Sequence, residues 1–175
     1  MQKQTTKSVV TSATIAAVYA VLTLALAPIS FGNLGIEFRV SEALCILPIF
    51  SANAIYGLFA GCVLSNLLGM TFSTLGLADV IFGSLATLIA AVVSYAFRNV
   101  KIRNFPFISF VSPVVFNALI VGAELHLVLT DVFPSFIYAF LVIGIGEAVV
   151  VFTLGTALMV TVQKNKFLSD FFKNK

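Results

Sequence analysis

The chain is poor in charge. Of its 175 residues, 10% are Asp, Glu, Lys or Arg and 60% are hydrophobic, whereas a soluble domain carries about 25% charge. So few ionisable groups cannot build a water-facing shell, and most side chains must face lipid or one another. Mean hydropathy is +1.10. Tryptophan is absent and there is a single histidine, which excludes a histidine-rich metal site. The two cysteines, Cys45 and Cys62, both lie in apolar runs. They form neither a disulfide framework nor a metal-ligand spacing and read as small buried hydrophobes. No G-x-x-x-x-G-K-[ST] loop is present, so the chain does not itself power transport with a nucleotide. Nor is there an H-E-x-x-H or G-x-S-x-G motif. No catalytic residue, metal or cofactor is expected. The lack of an internal repeat speaks against an inverted-repeat secondary transporter. The net charge of +3 comes in short basic clusters beside apolar runs, which is how membrane topology is encoded and does not point to nucleic acid. No composition shift divides the chain, so residues 1–175 read as one domain.

What is abundant is long apolar sequence. A helix needs about 20 apolar residues to cross a bilayer. Val9–Ala27, Leu77–Phe97, Phe107–Val128 and the longer Phe136–Val162 qualify. No cleavage site follows the first run, so it is expected to stay as a span. Ala43–Met70 is long for one span and short for two. Its middle, Pro48-Ile-Phe-Ser-Ala-Asn53, has the composition of a turn. The basic residues decide the count. With two helices in this stretch the chain makes six spans. Lys3 and Lys7, then Arg98, Lys101 and Arg103, then Lys164, Lys166, Lys173 and Lys175 all fall on one side. Only Arg39 is then outside, as the excess of cytoplasmic Lys and Arg requires. One helix there would split the clusters. The expected fold is an all-α integral membrane protein with six transmembrane helices and cytoplasmic N- and C-termini. Its second helix is short, about Ser41–Phe50, and its third is about Ala52–Met70. A short second helix cannot cross alone, and its buried ends need partners.

This topology sorts the polar residues. Glu37, Glu42, Asp79, Glu124 and Asp131 fall outside or in the outer half, Glu147 near the midplane, and only Asp170 inside. Asn66, Asn117 and His126 join the outer and middle set. An ionisable group within the membrane costs about 2.5–3.5 kcal/mol on insertion scales, so it faces a partner or a cavity. Arg39 cannot pair every one of these acids, so the surplus is expected to face water or a ligand. Glu42 and Asp79 sit in first turns, where a carboxylate suits the positive helix end; for both, a ligand role stays open beside that one. Glu37 and Asp131 read as solvated loop residues, and His126 as an interfacial histidine with its hydrogen bonds met. Asn66 is either a helix cap or a ligand group, and Asn117 either an interhelical hydrogen bond or a ligand group. Glu124 and Glu147 lie deep in apolar sequence with no local cation and are the strongest functional candidates. Small residues are spaced for close helix approach: Gly57 and Gly61 on the third span, and Ala13/Ala17 or Ala16/Ala20 on the first. Internal packing and docking onto a membrane partner both fit this spacing.

Several blocks resemble one family. Glu37-Phe-Arg-Val-Ser-Glu-Ala-Leu44 followed by Leu47-Pro48 is similar to the signature of the QueT-type proteins. Gly57-Leu-Phe-Ala-Gly-Cys62 with Asn66, Asp79-Val-Ile-Phe-Gly-Ser-Leu-Ala-Thr-Leu88, Asn117-Ala-Leu-Ile-Val-Gly-Ala-Glu124 and Gly144-Ile-Gly-Glu147 extend the resemblance over about residues 8–160. It implies a substrate-binding S component of an energy-coupling factor (ECF) transporter for a queuosine precursor, such as queuine or another 7-deazaguanine base. It further implies an outward pocket with a first loop as lid, a transmembrane coupling protein and two cytoplasmic ATPases. The alanine motif that meets the coupling protein would be Ala13/Ala17, with Ala16/Ala20 as the other register. One departure is the missing proline after Leu154-Gly155 in the last span. For such a base, a carboxylate such as Glu42, Asp79, Glu124 or Glu147 would accept the adjacent ring N–H and amine. Arg39, Asn66 or Asn117 would donate to its carbonyl, a second acid would meet a cationic aminomethyl arm, and Phe38, Phe82 or Tyr138 would stack on the ring. The other reading is a stand-alone proton-coupled secondary transporter with Glu124 and Glu147 as relay.

Overall fold

A computed structural model describes residues 6–31, 38–73 and 75–172. Glu37, Lys3, Lys173 and Lys175 lie outside the described residues. In chain order the elements are α1 (Thr6–Ala25), the single turn α2 (Ala27–Ser30), a 3-10 helix (Val40–Ile49), α3 (Asn53–Gly69), α4 (Leu77–Ala96) and α5 (Phe107–Val128). Then α6 (Phe136–Val150) runs through a π turn (Val151–Gly155) into α7 (Thr156–Lys164), and α8 (Lys166–Phe172) follows. Four of these helical stretches are long and apolar enough to cross a membrane: α1, α4, α5 and the continuous Phe136–Lys164. The 3-10 helix and α3 are shorter and also apolar.

Burial is inverted relative to a soluble protein. Leu77, Ile81, Ile137 and Ile145 are among the many exposed large hydrophobic side chains, while Glu42, Asn66, Asp79, Thr87, Glu124 and Glu147 are buried. Lipid accepts the apolar exterior, and the polar groups have to be served inside.

The 43–70 stretch divides at the expected turn, where the Ser51 hydroxyl accepts the N–H of Asn53 at 3.3 Å. Its first half differs from expectation in form. It is a ten-residue 3-10 helix, and such runs rarely exceed three or four residues. At about 2.0 Å per residue it reaches about 20 Å, against about 15 Å for the same residues as α-helix. Continuous burial from Ser41 to Pro48 holds it. The π turn packs against it: a side chain at Gly155 would sit 3.2 Å from Ile46 Cγ2 and 3.6 Å from the Ala43 carbonyl oxygen.

Small residues and hydroxyls bind the long helices. Gly57 and Gly61 let α3 lie directly on α1, where an added Cβ at Gly61 would meet Tyr19 Cβ at 2.8 Å and the Ala16 carbonyl oxygen at 2.9 Å. The G-x-x-x-G pair therefore serves internal packing. Pro113, inside α5, cannot donate to the carbonyl four residues back. That carbonyl, on Ser109, accepts the Ser94 hydroxyl of α4 at 2.8 Å, and the Ser109 hydroxyl returns a bond to the Ser94 carbonyl at 2.8 Å.

The start of α1, the start of α3 and α8 share one end of the bundle. Lys7 Nζ donates to the Asp170 carbonyl at 2.8 Å, Ser8 Oγ to Asn53 Oδ1 at 2.5 Å, and Phe50 and Phe172 pack with rings 6.4 Å apart. Phe105, from the basic connection between α4 and α5, joins the same apolar cluster.

Gly61→Ala is expected to destabilise the protein by about 1–3 kcal/mol through overpacking, while Ala17→Leu on the exposed face of α1 leaves stability unchanged. Thermal unfolding in detergent reads both.

Candidate functional site

The site begins with the 3-10 helix. Its period of three puts residues i and i+3 in one row, so Cys45 stands under Glu42 and donates its S–H to Glu42 Oε2 at 2.8 Å. Three other elements send donors to the same carboxylate. Tyr19 of α1 donates its hydroxyl to Oε1, Thr87 of α4 to Oε1 at 3.1 Å, and Asn117 of α5 its amide to Oε2 at 3.5 Å. A carboxylate has about four lone-pair sites, and four donors occupy them. Glu42 is 1% exposed, and its oxygens are met by protein groups.

Arg39 precedes the 3-10 helix with extended backbone. Its Nη2 pairs with Asp79 Oδ1 at 2.7 Å, its Nη1 donates to Asn66 Oδ1 at 3.4 Å, and the guanidinium lies 5.6 Å from the centre of the Phe31 ring. Asn66 Nδ2 in turn donates to the Asp79 backbone carbonyl at 2.9 Å. Gly83 makes room for this cluster: a Cβ there would lie 3.0 Å from Asn66 Nδ2, 3.0 Å from Asp79 Oδ1 and 3.2 Å from Arg39 Nη1.

Between the two polar centres opens a cavity of about 260 Å³, its mouth included, lined by Arg39, Asn117, Val121, Ile143 and Glu147. Most of that volume is open mouth, and the enclosed space is about 20 Å³, room for about one water molecule, so a bound base has to part the walls. Asn117 and Val121 are one turn apart on α5, as are Ile143 and Glu147 on α6, so each helix presents one polar and one apolar side chain. Asn117 and Glu147 face each other in this lining. Glu147 Oε1 is buried and has no hydrogen-bond partner among the described residues. A buried acceptor without a donor costs about 1–3 kcal/mol, more when charged, and a ligand N–H would recover it.

The expected site residues separate into groups. Arg39, Asn117 and Glu147 face one cavity. Asn66 and Asp79 stand behind Arg39, and Glu42 behind Asn117. Glu124 is buried on the same face of α5, two turns beyond Asn117, outside the cavity lining. The expected stacking aromatics do not reach the cavity. Tyr138 is 51% exposed and packs on Phe133 with rings 6.0 Å apart. Phe82 is also exposed, and half-buried Phe38 is not in the lining. The physical reason is orientation: Phe82 and Tyr138 lie on outward faces of their helices. His126 is satisfied by the Phe133 carbonyl at 2.9 Å, and Asp131 is exposed. Tyr19, Thr87, Val121 and Ile143 escaped notice in the sequence, and Cys45 is a hydrogen-bond donor as well as a buried hydrophobe. Of the two alanine registers, Ala16 is buried against Gly61 and Ala20 half-buried, while Ala13 and Ala17 are exposed.

Asp79→Ala is expected to destabilise the protein by about 3–5 kcal/mol, because the buried guanidinium loses its carboxylate. The double variant with Arg39→Leu should recover much of that loss. Paired thermal melts of the single and double variants measure both effects.

The model of the QueT transporter family matches residues 9–164. The chain is 41% identical over 91 residues to a protein of Lactococcus lactis subsp. cremoris (strain MG1363) described as "Queuosine precursor transporter QueT". That match covers 51% of this chain and 50% of the relative, so the chain spans about half the length of the relative it matches. No solved structure gives a significant match.

Proposed function

We propose that this chain, which belongs to the QueT transporter family and is a multi-pass membrane protein, is the substrate-capturing subunit of an ATP-driven ECF importer for a queuosine-precursor base. One observation carries the reading. Arg39, Asn117 and Glu147 line a small open-mouthed cavity, and Glu147 Oε1 there has no hydrogen-bond partner among the described residues. A 7-deazaguanine base offers a ring N–H and an exocyclic amine side by side, which a carboxylate accepts together. Its carbonyl takes a donor from Asn117 or Arg39. Two acids, Glu147 in the lining and Glu42 behind Asn117, suit a base with a cationic arm better than an anionic solute.

Six spans are proposed, with the 3-10 helix and α3 as the second and third. Lys7, the basic residues from Arg98 to Arg103, and Lys164 and Lys166 then face the cytoplasm, as do both termini. The cavity opens outward beside Arg39. A transmembrane coupling protein and two ATPases would complete the importer. The exposed Ala13/Ala17 face of α1 is the docking register, since Ala16 is occupied by Gly61.

The placing of two buried carboxylates, Glu42 hydrogen-bonded to Asn117 and Glu147 beside it in the cavity lining, favours a second reading, a proton-coupled transporter acting alone. Uptake into liposomes driven by a pH gradient, without ATPases, would support it.

Calorimetry on detergent-purified protein tests the first reading. Queuine or its 7-aminomethyl precursor is expected to bind, and Glu147→Gln to weaken binding by about 1.5–3 kcal/mol, the scale of a charged hydrogen bond. Binding of flavin or biotin instead, or unchanged affinity in Glu147→Gln, would contradict it.

A further inference from the structure

Tyr19 is outside the cavity lining, yet it is wired to it. It is 1% exposed, and its hydroxyl has one proton, which goes to Glu42 Oε1. Of the four donors on Glu42, Asn117 makes the longest bond, 3.5 Å from Oε2. That is at the outer limit of a hydrogen bond, against 3.1 Å for Thr87 and 2.8 Å for Cys45. Asn117 is also the only one of the four that lines the cavity. Its amide is thus the donor Glu42 holds most weakly and the one a ligand can take.

We propose that Tyr19 is a positioning residue for the ligand: by satisfying Glu42 from behind, it releases the Asn117 amide to the cavity. This rests on the reading of the cavity as the base site. Without the Tyr19 hydroxyl, Oε1 keeps only Thr87 among the described residues, and the one proton of that hydroxyl has a second acceptor in Cys62 Sγ, 3.4 Å from Thr87 Oγ1. A buried carboxylate short of donors draws harder on those that remain. Asn117 is then pulled back onto Glu42, and the ligand loses a donor it contacts although Tyr19 never touched it.

A double-variant cycle separates this from a packing role, because residues acting through one another are non-additive. The probe is 7-aminomethyl-7-deazaguanine, titrated calorimetrically into wild type, Tyr19→Phe, Asn117→Ala and the double variant in detergent. Tyr19→Phe is expected to weaken binding about five- to thirtyfold and Asn117→Ala by a similar factor, with the double variant no weaker than Asn117→Ala alone. Losses that multiply in the double variant, or a Tyr19→Phe affinity within about twofold of wild type, overturn the proposal. Thr87→Val removes the other donor to Oε1 and takes the place of Tyr19→Phe in the same cycle if that variant does not fold. No binding of the probe by the wild type overturns the base reading and this proposal together; wild-type binding with multiplying losses overturns this proposal alone.

Discussion

A carboxylate inside an apolar bundle has to be surrounded by donors, and the way Glu42 is surrounded organises the rest of this structure. Its four donors come from α1, the 3-10 helix, α4 and α5. No single helix can supply them, so the carboxylate ties four elements to one point. The 3-10 form of Val40–Ile49 follows from the same need. A three-residue period stacks Cys45 beneath Glu42, whereas α-helical spacing would rotate the thiol about 60° away. The energetic return is burial of a charge that an unpartnered position would exclude.

Arg39 applies the same rule with the opposite sign. Asp79 neutralises it and Asn66 orients it, while Gly83 yields the space. Two satisfied polar centres thus stand at the wall of one cavity. Glu147 lines that cavity too, with one oxygen that the described residues do not serve. The π turn four residues further along resets the helix just beyond Glu147, at a position where such bulges often accompany function.

Much of this was legible in the sequence, for identifiable reasons. Phe107–Val128 matches its expected span residue for residue, and the other long spans differ by a few residues at their ends, because hydropathy over 20 residues is a strong signal. The turn after Pro48 announced itself by composition. The 3-10 form did not, since ten almost wholly buried residues show no face from which to read a period of 3.0 or 3.6. Asn117 and Glu147 stood out as polar residues in apolar surroundings, and Arg39 as the one basic residue outside the cytoplasmic clusters. Tyr19 and Thr87 did not, being 23 and 45 residues from the carboxylate they serve, and both types are ordinary in a membrane helix. Among eighteen phenylalanines no single stacking partner could be picked, and the aromatic candidates named fell outside the cavity lining. Spacing alone could not tell which alanines of α1 pack internally; Ala16 lies against Gly61 of α3, and Ala13 and Ala17 are exposed.

The proposed occupant of the cavity beside Glu147 is a 7-deazaguanine base. Mass spectrometry of the small molecules released from protein purified out of cells supplied with such a base tests this most directly. The account predicts a 7-deazaguanine base in the wild-type eluate and its loss from Glu147→Ala purified in parallel. A different solute in the wild type, or the base retained at the same level in Glu147→Ala, would contradict it.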